Sequence, residues 1–198
     1  MAYTTIDDPA QYFNTVIYTG DGGSNRSVTV DFQPDWVWIK ERNGTNDQTI
    51  FDSVRGATKR LRANATEAED TQANQLKSFD SDGFTLGSLS AVNSNGQNYV
   101  SWNWLAGGSA SSNSDGSITS SVSASTTSGF SIVSWTGTGS TGTLGHGLGV
   151  TPQMIIVKKR DTSGTDWITF GSVLGGTVGS EFIKLNFVNA KTTGLNTS

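Results

Sequence analysis

Residue types that could support catalysis are scarce in this sequence. The chain has 198 residues, with one histidine and no cysteine. That histidine, His146, lies in the glycine-rich stretch TLGHGLG, and no G-x-S-x-G motif supplies a serine nucleophile. We interpret His146 as a turn residue, and the composition excludes thiolate chemistry and histidine-rich metal centres. We therefore predict no catalytic residue, no metal site and no cofactor.

Two neighbouring carboxylates, Asp80 and Asp82, occur in FDSDGF. Paired carboxylates can hydrolyse glycosides, and acidic loops can bind calcium. This stretch lacks the glutamate that completes a calcium loop, and DSDG between two predicted strands is typical of a turn. The glycine-rich stretches GTGSTG and GHGLG precede no predicted helix, so they indicate no phosphate site.

The tryptophans are the strongest candidates for ligand contact, because an exposed indole can stack on a sugar ring. Trp167 follows Asp166 at the start of a predicted strand, where its side chain could lie at an exposed edge. We therefore predict Trp167 as the candidate ligand-binding residue. Four other tryptophans alternate within predicted strands, which is typical of core or sheet-packing residues: Trp36, Trp38, Trp102 and Trp104.

Short β-strands must position these residues, since strand signals dominate the sequence. Alternation in DWVWIK indicates a strand buried on both faces, so we expect Val37 and Ile39, with Ile155 and Val157 in PQMIIVKKR, to be deeply buried. The pattern predicts an antiparallel all-β fold. Further runs with the same character, separated by turn clusters, are residues 14–20, 48–53, 83–88, 98–106, 129–137, 166–171 and 181–187.

Two stretches depart from this pattern. Residues 66–75 have capping-box spacing between Thr66 and Glu69 but almost no apolar face, which predicts a turn or two of helix at most. Residues 108–128 are rich in Gly, Ser and Thr and are predicted to form a linker. Within that linker, ITSSVS could form an edge strand.

One phrase occurs twice in the sequence. FQPDWVWIKER at residues 32–42 and GVTPQMIIVKKR at residues 149–160 both place a proline before an apolar run that ends in lysine and then arginine. Lys40 and Lys158 are 118 residues apart, YTGDG and WTGTG are 117 apart, and FDSV and FGSV are 119 apart. The drift falls in predicted turns, so the repeat indicates two units with one plan.

The repeat and the linker together predict an N-terminal arm at residues 1–12 and two related antiparallel β-sandwich-like units joined by the linker. The first unit covers residues 13–107, and the second covers residues 129–198. At an offset near 119, Ser198 corresponds to Phe79, which precedes the closing strands of the first unit. We therefore expect the second unit to be incomplete relative to the first.

The overall charge excludes some partners. The formal net charge is −4, and no basic stripe occurs beyond KRLR at residues 59–62, so we predict no nucleic-acid binding. No apolar run approaches the length of about 20 residues that a membrane helix needs, so we predict no membrane insertion.

Several stretches of the sequence resemble a family of tandem β-repeat, tail-fibre-like virion proteins from phages that infect marine bacteria. These stretches are YTGDG, FQPDWVWIKER, FDSVRGATKRL, SFDSDGFTLGS and GHGLGVTPQMIIVKKRD. The resemblance covers essentially the whole chain. It implies a location in the virion and other virion proteins as partners, and it supplies no catalytic residues.

Composition, repeat and resemblance together predict a non-enzymatic virion structural protein, a tail-fibre or adhesin-type subunit involved in host attachment. Two alternatives stay open: a capsid decoration or head-fibre protein, and a glycan-binding or glycan-depolymerising module. Unpaired strand edges invite pairing with another chain. We therefore expect a homo-oligomer, with a trimer favoured, and a possible host-surface glycan as ligand.

Overall fold

The computed structural model of the chain describes residues 6–172, 181–188 and 192–193. Within these residues the fold is built from antiparallel β-sheets, which confirms the all-β prediction. The helical segments described there are a 3-10 turn at Pro9–Gln11 and a one-turn helix, α1, at Ser90–Asn93. None of the described helices has the length and apolar character needed to cross a bilayer.

The strands are short, as expected from the dense turn signals between them. In chain order they are β1 (Phe13–Thr19), β2 (Arg26–Thr29), β3 (Trp36–Glu41), β4 (Thr49–Asp52), β5 (Lys59–Arg62), β6 (Asp70–Thr71), β7 (Leu76–Asp80), β8 (Gly83–Leu86), β9 (Asn98–Trp104), β10 (Ser111–Asn113), β11 (Ser120–Ser125), β12 (Phe130–Trp135), β13 (Met154–Val157), β14 (Ile168–Gly171), β15 (Glu181–Lys184) and β16 (Thr192–Thr193).

A six-stranded sheet in the order β1-β9-β3-β4-β5-β6 forms the centre of the first half, and a three-stranded sheet, β2-β8-β7, packs against it. The main core lies between them. Val37 and Ile39 on β3 are fully buried in this core, as predicted from the alternation of DWVWIK. On β9, Tyr99 is also fully buried, and its hydroxyl donates to the Ser90 carbonyl of α1 at 2.5 Å.

Strands β13 to β16 form a second sheet in that order. Its pairing repeats the pairing of β3 to β6 residue by residue. Val37 lies opposite Phe51, and Ile155 lies opposite Phe170, at offsets of 118 and 119. The same holds further along the sheets: the β5–β6 register maps onto β15–β16 at an offset of 122.

The burial of β13 differs from the prediction. Ile155 and Val157 are only half-buried, whereas Val37 and Ile39 are fully buried. In the described chain β13 pairs with β14 alone and lies at the edge of its sheet, while β3 has a strand on each side. An edge strand keeps solvent on one flank, so the expectation of deep burial is wrong for these two residues.

The glycine- and serine-rich segment 108–128 is more ordered than a plain linker. It contains β10 and β11, and β11 lies between β10 and β12 in a three-stranded sheet. The strand expected within ITSSVS is therefore present as β11, but the expectation that it lies at an edge is wrong. Ser123 shows why the segment folds: its buried hydroxyl donates to the Gly108 carbonyl at 2.7 Å and accepts from the Gly107 amide at 3.0 Å.

Residues 66–75 form no helix. They contain the two-residue strand β6 and turns instead. The reason is tertiary, because two acidic residues of this segment form ion pairs that hold it extended along β5. Asp70 pairs with Arg60, and Glu69 pairs with Arg55. The predicted correspondence of Ser198 with Phe79 lies outside the described residues.

A second, smaller core joins the two halves. Trp167, which precedes β14, packs with Ile50 and Leu61 of the six-stranded sheet and with Ala63 just after β5. Ile156 of β13 and Leu185 after β15 lie against the same group. The second sheet therefore packs on the face of the six-stranded sheet opposite the main core.

Candidate functional site

The repeated lysine of the duplicated phrase holds a loop in each half. Lys40 Nζ donates to the carbonyls of Gly44 and Asn46 at 3.0 and 2.9 Å. Lys158 Nζ donates to the carbonyl and the hydroxyl of Thr165, at 2.5 and 3.1 Å. Both lysines thus fix the connection to the next strand, β4 or β14, and the duplication preserves a structural contact.

A second repeated contact lies where β14 begins. The Asn186 side chain donates to Asp166 Oδ1 at 2.9 Å and accepts from the Trp167 amide at 2.8 Å. Lys184 pairs with the other oxygen of Asp166 at 2.6 Å. These hydrogen bonds, together with the nearby positive charge, hold the pKa of Asp166 below its usual range.

The first half has the same arrangement before β4. Asn64 donates to Asp47 Oδ1 at 2.9 Å and accepts from the Gln48 amide at 2.9 Å. Arg62 pairs with the other oxygen of Asp47 at 3.4 Å. We call each Asp–Asn pair with its basic neighbour an Asp–Asn lock. The locks recur at the offsets of the strands around them, 119 for the aspartates and 122 for the asparagines.

A serine contact repeats in the same way. Ser53 donates to Asp35 Oδ1 at 2.8 Å, and Ser172 donates to Gln153 Oε1 at 2.7 Å. The environments differ, because Asp35 is buried whereas Gln153 and Ser172 are exposed. The other oxygen of Asp35 accepts from the Ala106 amide just after β9, at 2.8 Å.

A cleft of about 680 Å³ lies between β12 and β13, and we call it the inter-strand slot. Residues 131–135 line one side and residues 156–161 line the other. Neither strand has a partner on its slot side within the described residues, because each lies at the edge of its own sheet. Trp36, Leu61 and Trp167 supply apolar lining.

Ionic contacts run alongside this slot and connect the two halves. Arg55 is almost fully buried and pairs with Asp52 at 2.5 Å and with Glu69 at 3.0 Å. The same Glu69 oxygen accepts from Arg160 at 3.1 Å, and Arg160 also donates to Ser134 of β12 at 3.0 Å. Arg160 thereby reaches from the β13 side of the slot to the β12 side.

The charges of this network are fixed by their partners. Burial alone would raise the pKa of Glu69, but hydrogen bonds and charges from Arg55 and Arg160 outweigh it, so the pKa is lowered. Lys158 shows the opposite balance, because burial lowers its pKa despite the attraction of Asp166. Glu69, beside the slot, is therefore held as a charged partner of two arginines, which is the opposite of the raised carboxyl pKa that a general acid needs.

The other residues considered for chemistry lie apart from the slot. Asp80 accepts hydrogen bonds from the hydroxyls of Ser78 and Thr85, both at 2.7 Å, which is ordinary turn chemistry. His146 Nδ1 accepts from the Leu148 amide at 3.2 Å within its own loop. Across the described ranges, no group of three or more acidic or histidine side chains could hold a metal ion.

Trp167 is buried, with 2% of its surface exposed, so the expectation of an exposed indole at a strand edge is wrong. Its side chain turns into the second core because the six-stranded sheet covers it, and Nε1 donates to the Arg62 carbonyl at 2.7 Å. Trp167 also helps to line the inter-strand slot, through which a ligand could reach it. The role of Trp167 as a ligand-binding residue stays a prediction, now for a ligand that enters the inter-strand slot.

The four alternating tryptophans are half-buried and pack between sheets. Trp38 and Trp102 meet edge to face, with ring centroids 6.0 Å apart. Phe130 of β12 stacks on Trp104 at 5.9 Å and meets Trp36 edge to face at 6.3 Å. These rings attach β12 to the six-stranded sheet.

Several residues important to this region were missed from the sequence. Arg55 and both Asp–Asn locks match no recognised motif, and the capping-box spacing of Glu69 indicates a helix rather than an ion pair. A repeat alignment extended past FDSV and FGSV would have matched Asp47 with Asp166 and Asn64 with Asn186. That pairing is the signal that could have found the locks.

Comparisons with known proteins give one match. No curated protein and no solved structure matches the chain significantly. One family model, described as a domain of unknown function, DUF7483, matches residues 8–198. Because the match spans nearly all of the sequence, the chain belongs to the DUF7483 family.

Proposed function

We propose that the chain is a non-enzymatic structural subunit of a phage virion, of the tail-fibre or adhesin type, that contributes to host attachment. One observation carries the proposal: the strand register, the lysine contact and the Asp–Asn lock are all duplicated. Duplicated contacts of this kind build a module that can be repeated along an elongated protein. The virion setting is supported by the resemblance of the repeated phrases to tail-fibre-like proteins.

The chemistry of the slot favours a structural role over a catalytic one. Hydrolysis of a glycoside by paired carboxylates requires one of them to act as an acid with a raised pKa. The Glu69 carboxylate beside the slot is instead held by two arginines, and its pKa is lowered. This arrangement suits a fixed ion pair between the two halves.

Assembly is part of the proposal. Strands β12 and β13 each have a free edge in the described chain, and free edges favour pairing with another chain. We expect a homo-oligomer, most simply a trimer around a fibre axis. Light scattering on the purified chain should give a trimeric mass, and a stable monomer at all concentrations would contradict this part.

The location is tested on particles. Antibodies raised against the recombinant chain, coupled to gold, are applied to purified virions of a phage that encodes it. Label at the tail tip or fibres is the expected result. Label over the head would replace the proposal with the capsid-decoration alternative, and absence of label from denatured as well as intact particles would overturn a virion role.

Attachment and catalysis are separated by a second pair of measurements. Pre-incubating host cells with the chain should slow phage adsorption, because the added protein occupies the receptor. Purified host polysaccharide treated with the chain should show no new reducing ends. Their appearance, retained in repeated preparations, would support the depolymerase alternative instead.

A further inference from the structure

The inter-strand slot corresponds to a position that is occupied in the first half. There, β9 lies between β1 and β3 and pairs with both along its length. The repeat places β12 at the position of β1, at an offset of 117, and β13 at the position of β3, at an offset of 118. In the described chain no strand joins β12 to β13.

The β9 register shows what such a strand would meet. Trp102 lies opposite Thr15 of β1 and opposite Trp38 of β3. The corresponding positions in the second half are Ile132 and Ile156, and both line the slot. A strand in the β9 register would therefore place its central aromatic residue between two isoleucines.

The surroundings of the slot fit an added β-strand in the β9 register. Trp36, Leu61 and Trp167 offer an apolar surface to one face of an added strand. Flanking strand edges offer backbone donors and acceptors, which an extended peptide satisfies and a compact ligand does not. Arg160 and Ser134, which now contact each other across the slot, lie beside the position that corresponds to the start of β9.

We propose that the slot receives a β-strand with the sequence pattern of β9, donated by another chain of the assembly. The strand would run antiparallel to β12 and β13, as β9 runs to β1 and β3. One set of alternate residues would be apolar or aromatic and would face the second core. This inference rests on the proposed function, because an assembling structural protein supplies the neighbouring chain.

The alternation that the donor strand needs can be read from β9 itself. Tyr99, Ser101 and Asn103 are fully buried on the main-core side, whereas Trp102 and Trp104 are half-buried on the other. The donated strand should repeat this order, with one ring followed by small or amide side chains on one face and rings on the other.

A synthetic peptide tests the proposal directly. The probe is NYVSWNWLA, the sequence of residues 98–106, with terminal lysines for solubility and a fluorescent label. Fluorescence anisotropy with the purified full chain should show saturable binding. The matched control has proline at the Val100 and Trp102 positions, which removes two backbone donors, and should bind at least about tenfold more weakly. A shuffled peptide of the same composition controls for the adhesion of aromatic residues.

Hydrogen exchange then locates the peptide. Bound peptide should slow amide exchange in residues 130–135 and 154–157 while leaving β4 and β8 unchanged. Equal binding of the proline or shuffled peptide, or protection elsewhere in the chain, would overturn the proposal. So would the absence of binding by a chain whose folding is verified by circular dichroism.

Variants of the chain provide an independent check. Ile132→Asp puts a charge into the slot and should abolish peptide binding, whereas Ser121→Asp adds the same charge on the exposed surface of β11 and should not. Ile132 is largely buried, so Ile132→Asp could fail to fold; in that case the peptide controls decide. Failure of peptide binding with correct virion labelling would reject the donated strand and leave the proposed function standing.

Discussion

At the scale of single residues, the contribution of Asn186 to the free energy of unfolding can be measured by substitution. Replacing it with alanine removes both side-chain hydrogen bonds of its lock and leaves the Trp167 amide without that acceptor. Because these bonds are half-buried, we expect Asn186→Ala to lower the free energy of unfolding by about 1–3 kcal/mol. Urea denaturation followed by tryptophan fluorescence measures the change.

The first-half lock is the matched control. Asn64 makes the same two bonds but is exposed, so water can replace its partners, and Asn64→Ala should cost less, about 0.5–1 kcal/mol. A larger loss for Asn64→Ala than for Asn186→Ala would show that burial does not set the strength of the locks.

Glu69 makes stability depend on pH. Its pKa in the folded chain lies below the unfolded value of 4.5, because Arg55 and Arg160 stabilise the carboxylate. Its contribution is therefore fully present above pH 4.5 and is lost as the pH falls through the lower folded pKa. Glu69→Gln should reduce stability at neutral pH and flatten the acid limb of the stability profile.

Denaturation midpoints measured from roughly pH 6 down to pH 3 test this behaviour. Glu67→Gln serves as the control, since that side chain is more than half exposed and its distance to Arg62 is 3.8 Å. If the denaturation midpoint of Glu69→Gln falls as steeply with decreasing pH as that of the unmodified chain, the acid sensitivity comes from other carboxylates.

At the scale of elements, β3 and β13 share a register but differ in burial. Ile39→Ala empties a fully buried site in the main core and should cost about 2–5 kcal/mol. Ile155→Ala removes the same atoms from a half-buried edge strand, so we expect less than about 2 kcal/mol. Equal losses in urea denaturation would mean that β13 is covered as fully as β3.

Sequence alternation predicted individual strands well and their neighbours poorly. The pattern of DWVWIK identified β3 and the burial of Val37 and Ile39, because side chains of a strand alternate whatever it pairs with. It could not show that β13 lies at an edge, since that depends on which strands pair. The prediction of a linker at residues 108–128 was incomplete for the same reason: the Ser123 hydroxyl bonds the backbone of Gly107 and Gly108 only once β11 lies between its neighbours.

The candidate site was less predictable than the fold. The position of Trp167 after Asp166, at the start of a predicted strand, predicts exposure at an edge, but Ile50, Leu61 and Ala63, which cover it, are more than 100 residues away in the chain. Glu69 lies 91 residues before Arg160, so nothing local indicates their pairing. Slots and ion pairs between distant segments are set by packing, which a single sequence does not display.

At the scale of the whole molecule, Trp167 couples the two halves. Trp167→Ala would open a cavity between the sheets and remove the hydrogen bond to the Arg62 carbonyl, so we expect a loss of about 3–5 kcal/mol. Hydrogen exchange should also show the second sheet opening separately from the first. Trp167→Phe retains most of the ring and should cost less, while Trp135→Ala, farther from this core, should leave the halves coupled.

The sequence offset between corresponding residues of the two sheets changes along the chain, and this change has a practical consequence for engineering. The connection between β4 and β5 spans residues 53–58, and the corresponding connection between β14 and β15 spans residues 172–180, three residues longer. Strand pairing is unchanged on either side of that difference. An insertion of the same length placed after Arg55 should therefore leave the flanking strands paired, because Ser53 and Arg55 keep their contacts with Asp35, Asp52 and Glu69.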